Sequence, residues 1–288
     1  MSNLLYHYCS TQTFHALFSA VNPAIRLSSL SLSNDAMEGR WIRKVFKELC
    51  ADEGLSIDDI ASATNFMDGL LANIDGLGFC LSEEADMLSQ WRGYADDAKG
   101  FCIGFSQSYL AALRDMAQNN FAELKLERVI YDRDEQIALI TPIVRQVRGG
   151  IDNGVFRPPQ TRMVLDSRTD EEIELERLEW REAIVALGAG FLEAYFLMFR
   201  LKNHAFREEK EWRILTPVKS DYDSLQYHPK DDRLVPYANL FFGPSRAGAI
   251  CEVIIGPKNI TPLAAVAGFL KEHGFGDVKV RKSDASYR

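Results

Sequence analysis

The sequence predicts an α+β fold: a mixed or antiparallel β core carrying large helical insertions. Three observations point there. Short apolar runs bounded by Gly and Ser, "GLGFCLS" and "GFCIGFS", read as core strands. Stretches with apolar residues at helical spacing lie between the strand-like runs, with unequal lengths and no regular βα alternation, which argues against a doubly wound sheet. The chain has 288 residues, 47% hydrophobic and 26% charged, enough to close one large core. No shift in composition marks a boundary, so a single domain over 1–288 is expected, with helical insertions at about 41–75 and 134–205.

Taken in order, "LYHYCS" is strand-like and "QTFHALFSAV" reads as a short helix stopped by Asn22-Pro23. "AIRLSSLSL" reads as a strand. In "RWIRKVFKELCADEG", Trp41, Val45, Phe46 and Leu49 share one helical face and Gly54 is a stop; residues 57–74 repeat that pattern. After the two core runs, Ser106 caps a helix over "QSYLAALRDMAQNN". "LERVIYD" reads as a strand, and 134–148 and 170–200 as helices, the second opening with (i, i+4) charge pairs. The Gly/Pro-rich stretch 149–168 between them reads as a mobile loop. The remainder reads strand, loop, strand ("EVIIGP"), helix from Thr261-Pro262 to Gly274, and strand ("VKVR").

Composition excludes several classes. No apolar run approaches the length of a membrane span, and "MSNLLYHYCS" lacks the basic region and cleavage site of a signal peptide, so cytoplasmic placement without a membrane partner is expected. Cys9, Cys50, Cys80, Cys102 and Cys251 are odd in number and lack zinc spacing, so they read as free thiols. A net charge of −8 argues against a broad nucleic-acid surface, though not against a local basic groove.

Four polar clusters border strand-like runs. His7 sits between two tyrosines. "SSLSLSNDAMEG" holds serines beside ordinary turn chemistry. Trp91, Arg92 and Tyr94 lie in a polar connection, where large aromatics pack either on the core or on a ligand ring. In "FREEKEWRIL", a strand would put Glu209 and Glu211 on one face and Lys210 and Trp212 on the other. That pair is either a solvated edge or two carboxylates placed for chemistry. There is no Walker loop, HExxH, GxSxG or GxGxxG.

Together, "LYHYCS", "LSSLSLSNDAMEG", "LSEEADMLSQWRGYADDAKGFCIGF", "KNHAFREEKEWRIL", "EVIIGP" and "SDASYR" resemble, in order and over nearly the whole chain, a bacterial family known only as a domain of unknown function. Cys9 stands where that pattern has Thr, and Ala36 where it has Pro. More loosely, the layout resembles the ADP-ribosyltransferase fold. There, a first strand carries His or Arg, a Ser- or Tyr-bearing segment follows, and a late strand begins with a catalytic Glu, often as Glu-x-Glu. The resemblance implies a split sheet with NAD as substrate. It makes Glu211 the catalytic carboxylate and has Glu209 orient the acceptor or take its proton. It has His7 bond the adenosine-side ribose and Ser29 or Ser31 the nicotinamide ribose, counts Ser10 among the cofactor-binding residues, and sets Tyr94 or Trp91 against one of the cofactor's rings. Asn34 and Glu38 would shape the rim. The acceptor would be protein, nucleic acid or water, the setting a toxin or phage-defence effector, and an antitoxin or other regulatory protein a partner. A nucleic-acid acceptor would call on Arg145, Arg148, Arg157, Arg162 and Arg168.

Two other readings compete. Asp35, Glu38, Glu209 and Glu211 would supply oxygen ligands for Mg²⁺ in a nuclease or phosphodiesterase. In a non-catalytic binding module, Glu209 and Glu211 would instead pair with Arg213 or Lys202.

Overall fold

The computed structural model describes residues 3–32, 40–115, 121, 123–157, 159, 167–219, 221, 223–230, 232–243 and 246–287, apart from the side chains of residues 71, 190, 192 and 193. The described strands are β1 (Leu4–Cys9), β2 (Ala24–Ser29), β3 (Ile74–Ser82), β4 (Phe101–Ser106), β5 (Lys125–Arg128), β6 (Glu211–Lys219), β7 (Gln226–Lys230), β8 (Arg233–Phe241), β9 (Ile250–Ile255) and β10 (Lys279–Lys282). The helices are α1 (Thr11–Ser19), α2 (Trp41–Asp52), α3 (Ile57–Leu71), α4 (Leu88–Tyr94), α5 (Gln107–Ala112), α6 (Arg133–Asp152), α7 (Asp170–Met198) and α8 (Leu263–Glu272). This is an α+β fold. No helix among the described residues is long and apolar enough to cross a membrane.

All ten strands join one sheet, antiparallel except for the β9–β10 pair. It forks at β3. One edge of β3 pairs with β6 over nine residues, and β6 with β5. The other edge meets β1 at its end, Tyr6 opposite Ser82, and β2 nearer its start, Ser28 opposite Gly78 and Ser29 opposite Leu77. From there β1 leads to β4, β9 and β10, and β2 to β8 and β7.

Helices cover both faces. Leu77, Phe79, Leu81 and Ile214 share one core with Phe14 and Phe18 of α1 and Val266 and Leu270 of α8. On the opposite face, Leu215 joins Ile42, Val45, Phe46, Ile140, Val144 and Phe191 from α2, α6 and α7. The helices α2, α3, α6 and α7 therefore form one layer on that face. A third cluster, Tyr8, Trp91, Ala95, Ala98, Cys102 and Ile254, seats α4 on β1, β4 and β9. Close approach there demands glycine: a Cβ on Gly100 would run into the Cys9 carbonyl.

Several local expectations are revised. β2 stops at Ser29, and β5 at Arg128, after which Ile130 bridges to Leu201. α6 runs on through Gly149 to Asp152, shortening the expected loop, while 158 and 160–166 lie outside the described residues. Residues 226–241, read as loop, form the β7–β8 hairpin; β7 is the sheet's edge, where Pro229 and charged residues are tolerated.

Candidate functional site

The carboxylate pair does not lie along one strand. Residues His204–Glu209 form a 3-10 turn, Lys210 takes a left-handed conformation (φ 42°, ψ 51°), and only Glu211 opens β6. The left-handed residue reverses the chain locally, so both carboxylates still reach the same lysine. Lys202 Nζ donates to Glu209 Oε2 at 2.6 Å and to Glu211 Oε2 at 3.0 Å. Arg213 completes the group with a two-pronged bond to Glu211, Nε to Oε1 at 2.7 Å and Nη2 to Oε2 at 2.9 Å. Its remaining prong, Nη1, donates to the Phe199 carbonyl beyond α7 at 2.7 Å. Lys210 and Trp212 turn away as expected, to Glu84 and Glu83.

The group is enclosed. Side-chain exposure is 2% for Arg213, 8% for Glu211, 9% for Lys202 and 12% for Glu209. Burial alone would raise the Glu211 carboxyl, but Arg213 and then Lys202 override it and bring it from 4.5 down to about 2. Burial likewise works to lower Lys202, and the charges of Glu211 and Glu209 more than offset that, holding the amine protonated. Two cations face two carboxylates, so the cluster is neutral as a unit.

Ser82 stands directly opposite Glu211 across β3–β6, and opposite Tyr6 across β3–β1. Tyr6, Ser82 and Glu211 therefore form one row over three adjacent strands, on one face of the sheet. The Ser82 hydroxyl donates to the Glu209 carbonyl at 2.7 Å and accepts the Glu84 N–H at 3.1 Å, fixing the turn that carries the carboxylates. Gly104 leaves room for the Tyr6 ring, whose hydroxyl reaches Glu252 at 2.8 Å. At the outer side Tyr94, 48% exposed at the end of α4, donates to Glu209 Oε1 at 3.1 Å. Tyr131 accepts the Glu211 N–H at 3.2 Å.

Tyr94, Glu209 and Glu211 are thus brought together, and the pairing of both glutamates with Lys202 is the one expected of a binding module. His7 is not with them. It stacks on Phe79 at 4.1 Å on the opposite face, and its Nδ1 meets the Cys80 carbonyl at 2.9 Å in the fork between β1 and β3. Burial pushes its pKa down from 6.5 to about 4, against the opposing pull of that carbonyl. Ser10 caps α1, accepting the Thr13 N–H. Ser29 and Ser31 both donate to the buried Asp75 at 2.6 Å. Ser29 pairs with Leu77, five residues along β3 from Ser82, an offset of about 16 Å along the strand at ~3.3 Å per residue. Trp91 is fully buried, edge-on to Tyr8 at 5.0 Å, with its N–H on Asp86 at 2.6 Å; it packs on the core and offers no face to a ligand.

Asn34, Asp35, Glu38 and Arg162 lie outside the described residues. Among the described ones, no group of three or more His, Cys, Asp or Glu is arranged to hold a metal. Arg148 and Arg168 are engaged with Glu53 and Glu176. Ser82 was not singled out by the sequence; the serine at the end of the "GLGFCLS" run was the available signal.

Residues 90–214 match the model of a family described as Protein of unknown function (DUF2971). The match opens within α4 and closes within β6, so it contains Tyr94, Lys202, Glu209, Glu211 and Arg213 and omits β1 and Ser82. It supports the resemblance to a domain of unknown function drawn from the motifs. No curated protein and no solved structure matches the chain.

Proposed function

We propose that the chain is an ADP-ribosyltransferase that consumes NAD at the Tyr6–Ser82–Glu211 row. The observation that carries this reading is the row itself. The first strand, a serine closing the central one and the strand that opens on Glu211 are adjacent, with Tyr6, Ser82 and Glu211 in register. The fork of the sheet beside them agrees with the split sheet that the resemblance implies. In this reading Ser82, opposite Glu211, takes the role that the resemblance gave to Ser29 or Ser31, which bond Asp75 instead.

In this reading the bond between ribose C1′ and nicotinamide nitrogen breaks, and its electron pair leaves with neutral nicotinamide. Positive charge grows on the ribose as in glycoside cleavage. Glu211, ionised far below neutral pH, is suited to face that charge and not to take up a proton. Glu209, at the more open side beside Tyr94, accepts the proton of the attacking group as the new C1′ bond forms. Substrate entry requires Tyr94 to leave Glu209 and Lys202 to release Glu211.

A second reading has its own observation: both oxygens of Glu211 are taken by Arg213 and Lys202, the arrangement of an internal brace in a non-catalytic binding module. One experiment separates them. Wild type, Glu209→Gln and Glu211→Gln are incubated with NAD labelled in the adenylate, alone and with cell lysate, following nicotinamide release and label transfer, with the fold of each variant checked by melting. Release by wild type and its loss in a folded Glu209→Gln supports the transferase, and the labelled fraction names the acceptor class. Absence of release from wild type, with no NAD-dependent thermal shift, refutes it in favour of the module.

A further inference from the structure

We infer that the segment Ser283–Tyr287, which follows β10, is a strap that holds α4 in place and keeps Tyr94 closed over the Lys202–Glu209–Glu211 group. The strap grips the α4 region at two points. Before the helix, Asp86 is a hub. Its Oδ1 accepts the Ser283 hydroxyl at 2.6 Å together with the Trp91 N–H, its Oδ2 accepts the Asp284 N–H at 2.7 Å, and Arg281 lies 3.8 Å away. After the helix, Asp97 is a second hub. The Tyr287 hydroxyl donates to its Oδ1 at 2.8 Å and Lys258 Nζ to its Oδ2 at 2.8 Å, with Lys258 also 3.9 Å above the Tyr287 ring. Arg92 of α4 faces the same ring at 5.8 Å.

What the strap restrains is under strain. Asp96, Asp97 and Ala98 are three successive non-glycine residues in the left-handed region, φ 50°, 50° and 68°. Such a run persists only when its surroundings impose it. Here they do, through Tyr287 and Lys258 on Asp97 and through the Lys258 N–H on the Ala98 carbonyl at 3.0 Å. Tyr94 is the last residue of α4, immediately before this turn, and a single hydrogen bond links its exposed ring to Glu209. Loss of the strap lets the turn relax, swings the end of α4 and uncovers Lys202. What the opened crevice then admits rests on the ADP-ribosyl reading; the motion itself does not.

The test needs no NAD. The double variant Ser283→Ala/Tyr287→Phe removes one hydroxyl from each hub, and Tyr94→Phe removes only the link to Glu209. Amide hydrogen exchange and hydroxyl-radical labelling of the Lys202 side chain, which reads exposure whether or not the amine is protonated, are compared with wild type. In the double variant, which loses two hydrogen bonds to charged groups, exchange at 91–100 is expected to rise about tenfold or more, with β3 and β6 unchanged and Lys202 labelled faster. In Tyr94→Phe, labelling of Lys202 is expected to rise without the change in exchange. Wild-type exchange at 91–100 in the double variant, a rise spread equally over β3 and β6, or unchanged labelling of Lys202 would each overturn the strap.

Discussion

Glu211→Gln is the substitution that most directly tests the buried charge group. It removes one negative charge and turns one acceptor oxygen into an N–H pointing at cations. Arg213, 2% exposed, keeps its charge but loses its two-pronged partner. Breaking a buried pair by removing one member costs about 3–5 kcal/mol, because the remaining charge has no water to turn to. An independent route gives a similar size. The Glu211 carboxyl lies at about 2 when folded and 4.5 ordinarily, a difference worth roughly 3 kcal/mol. A chain of this length loses about 2 °C in Tm per kcal/mol, so a fall of about 6–10 °C is expected. The sign with pH follows from the lowered carboxyl: its stabilisation is complete above 4.5 and drains as pH falls toward 2. Urea unfolding of wild type and variant at pH 7, 5, 4 and 3 measures both effects. The gap between the two should be widest at pH 7 and narrow steadily below pH 4.5. The apolar double variant Glu211→Leu/Arg213→Met should recover much of the loss, because neither charge is then left alone. A Glu211→Gln protein within about 1 kcal/mol of wild type at neutral pH, or a gap that does not close with acid, would refute this account of the cluster.

Other consequences are equally direct. Lys202→Met leaves Glu209 and Glu211 facing each other with one cation fewer; a loss of about 3 kcal/mol in urea unfolding is expected at pH 7, smaller at pH 4 where a carboxylate can take up a proton. Gly100→Ala drives a Cβ into the Cys9 carbonyl, a backbone atom between paired strands; soluble yield and Tm should both fall sharply. His7 should titrate near 4 by NMR. Its contribution to stability is intact above 6.5 and falls as pH drops toward 4, so His7→Gln should flatten that part of the acid-unfolding curve.

Much of the fold is legible in the amino-acid order, for local reasons. α2 follows from apolar residues repeating on one helical face, and α7 from the charge pairs of its opening and the reciprocal cap that Thr169 forms with Glu172. β3 and β4 are legible as apolar runs closed by Gly and Ser, whereas Trp91, open between core and ligand ring in the sequence, is placed in a core only by its packing on Tyr8. That Glu209 and Glu211 can pair with Arg213 or Lys202 could also be written down from residue types and spacing. Their geometry could not. One left-handed residue, Lys210, takes Glu209 out of the strand that period-two alternation assigned to it, and nothing in the lysine side chain announces that conformation. The β7–β8 hairpin stayed hidden because proline and charge at a sheet edge look like loop.

The sequence by itself therefore determined the fold class, most of the helices and the charges that can pair. The tertiary structure decided which residues share a site. His7 and Glu211 lie on strands separated only by β3 yet on opposite faces, and Ser82, not Ser29 or Ser31, stands opposite Glu211. Both outcomes depend on register, where a shift of one residue turns every side chain to the other face. Register is set by packing between strands far apart in the chain. Hydrophobic periodicity within a segment reports which residues are buried, but not which distant residue each one meets.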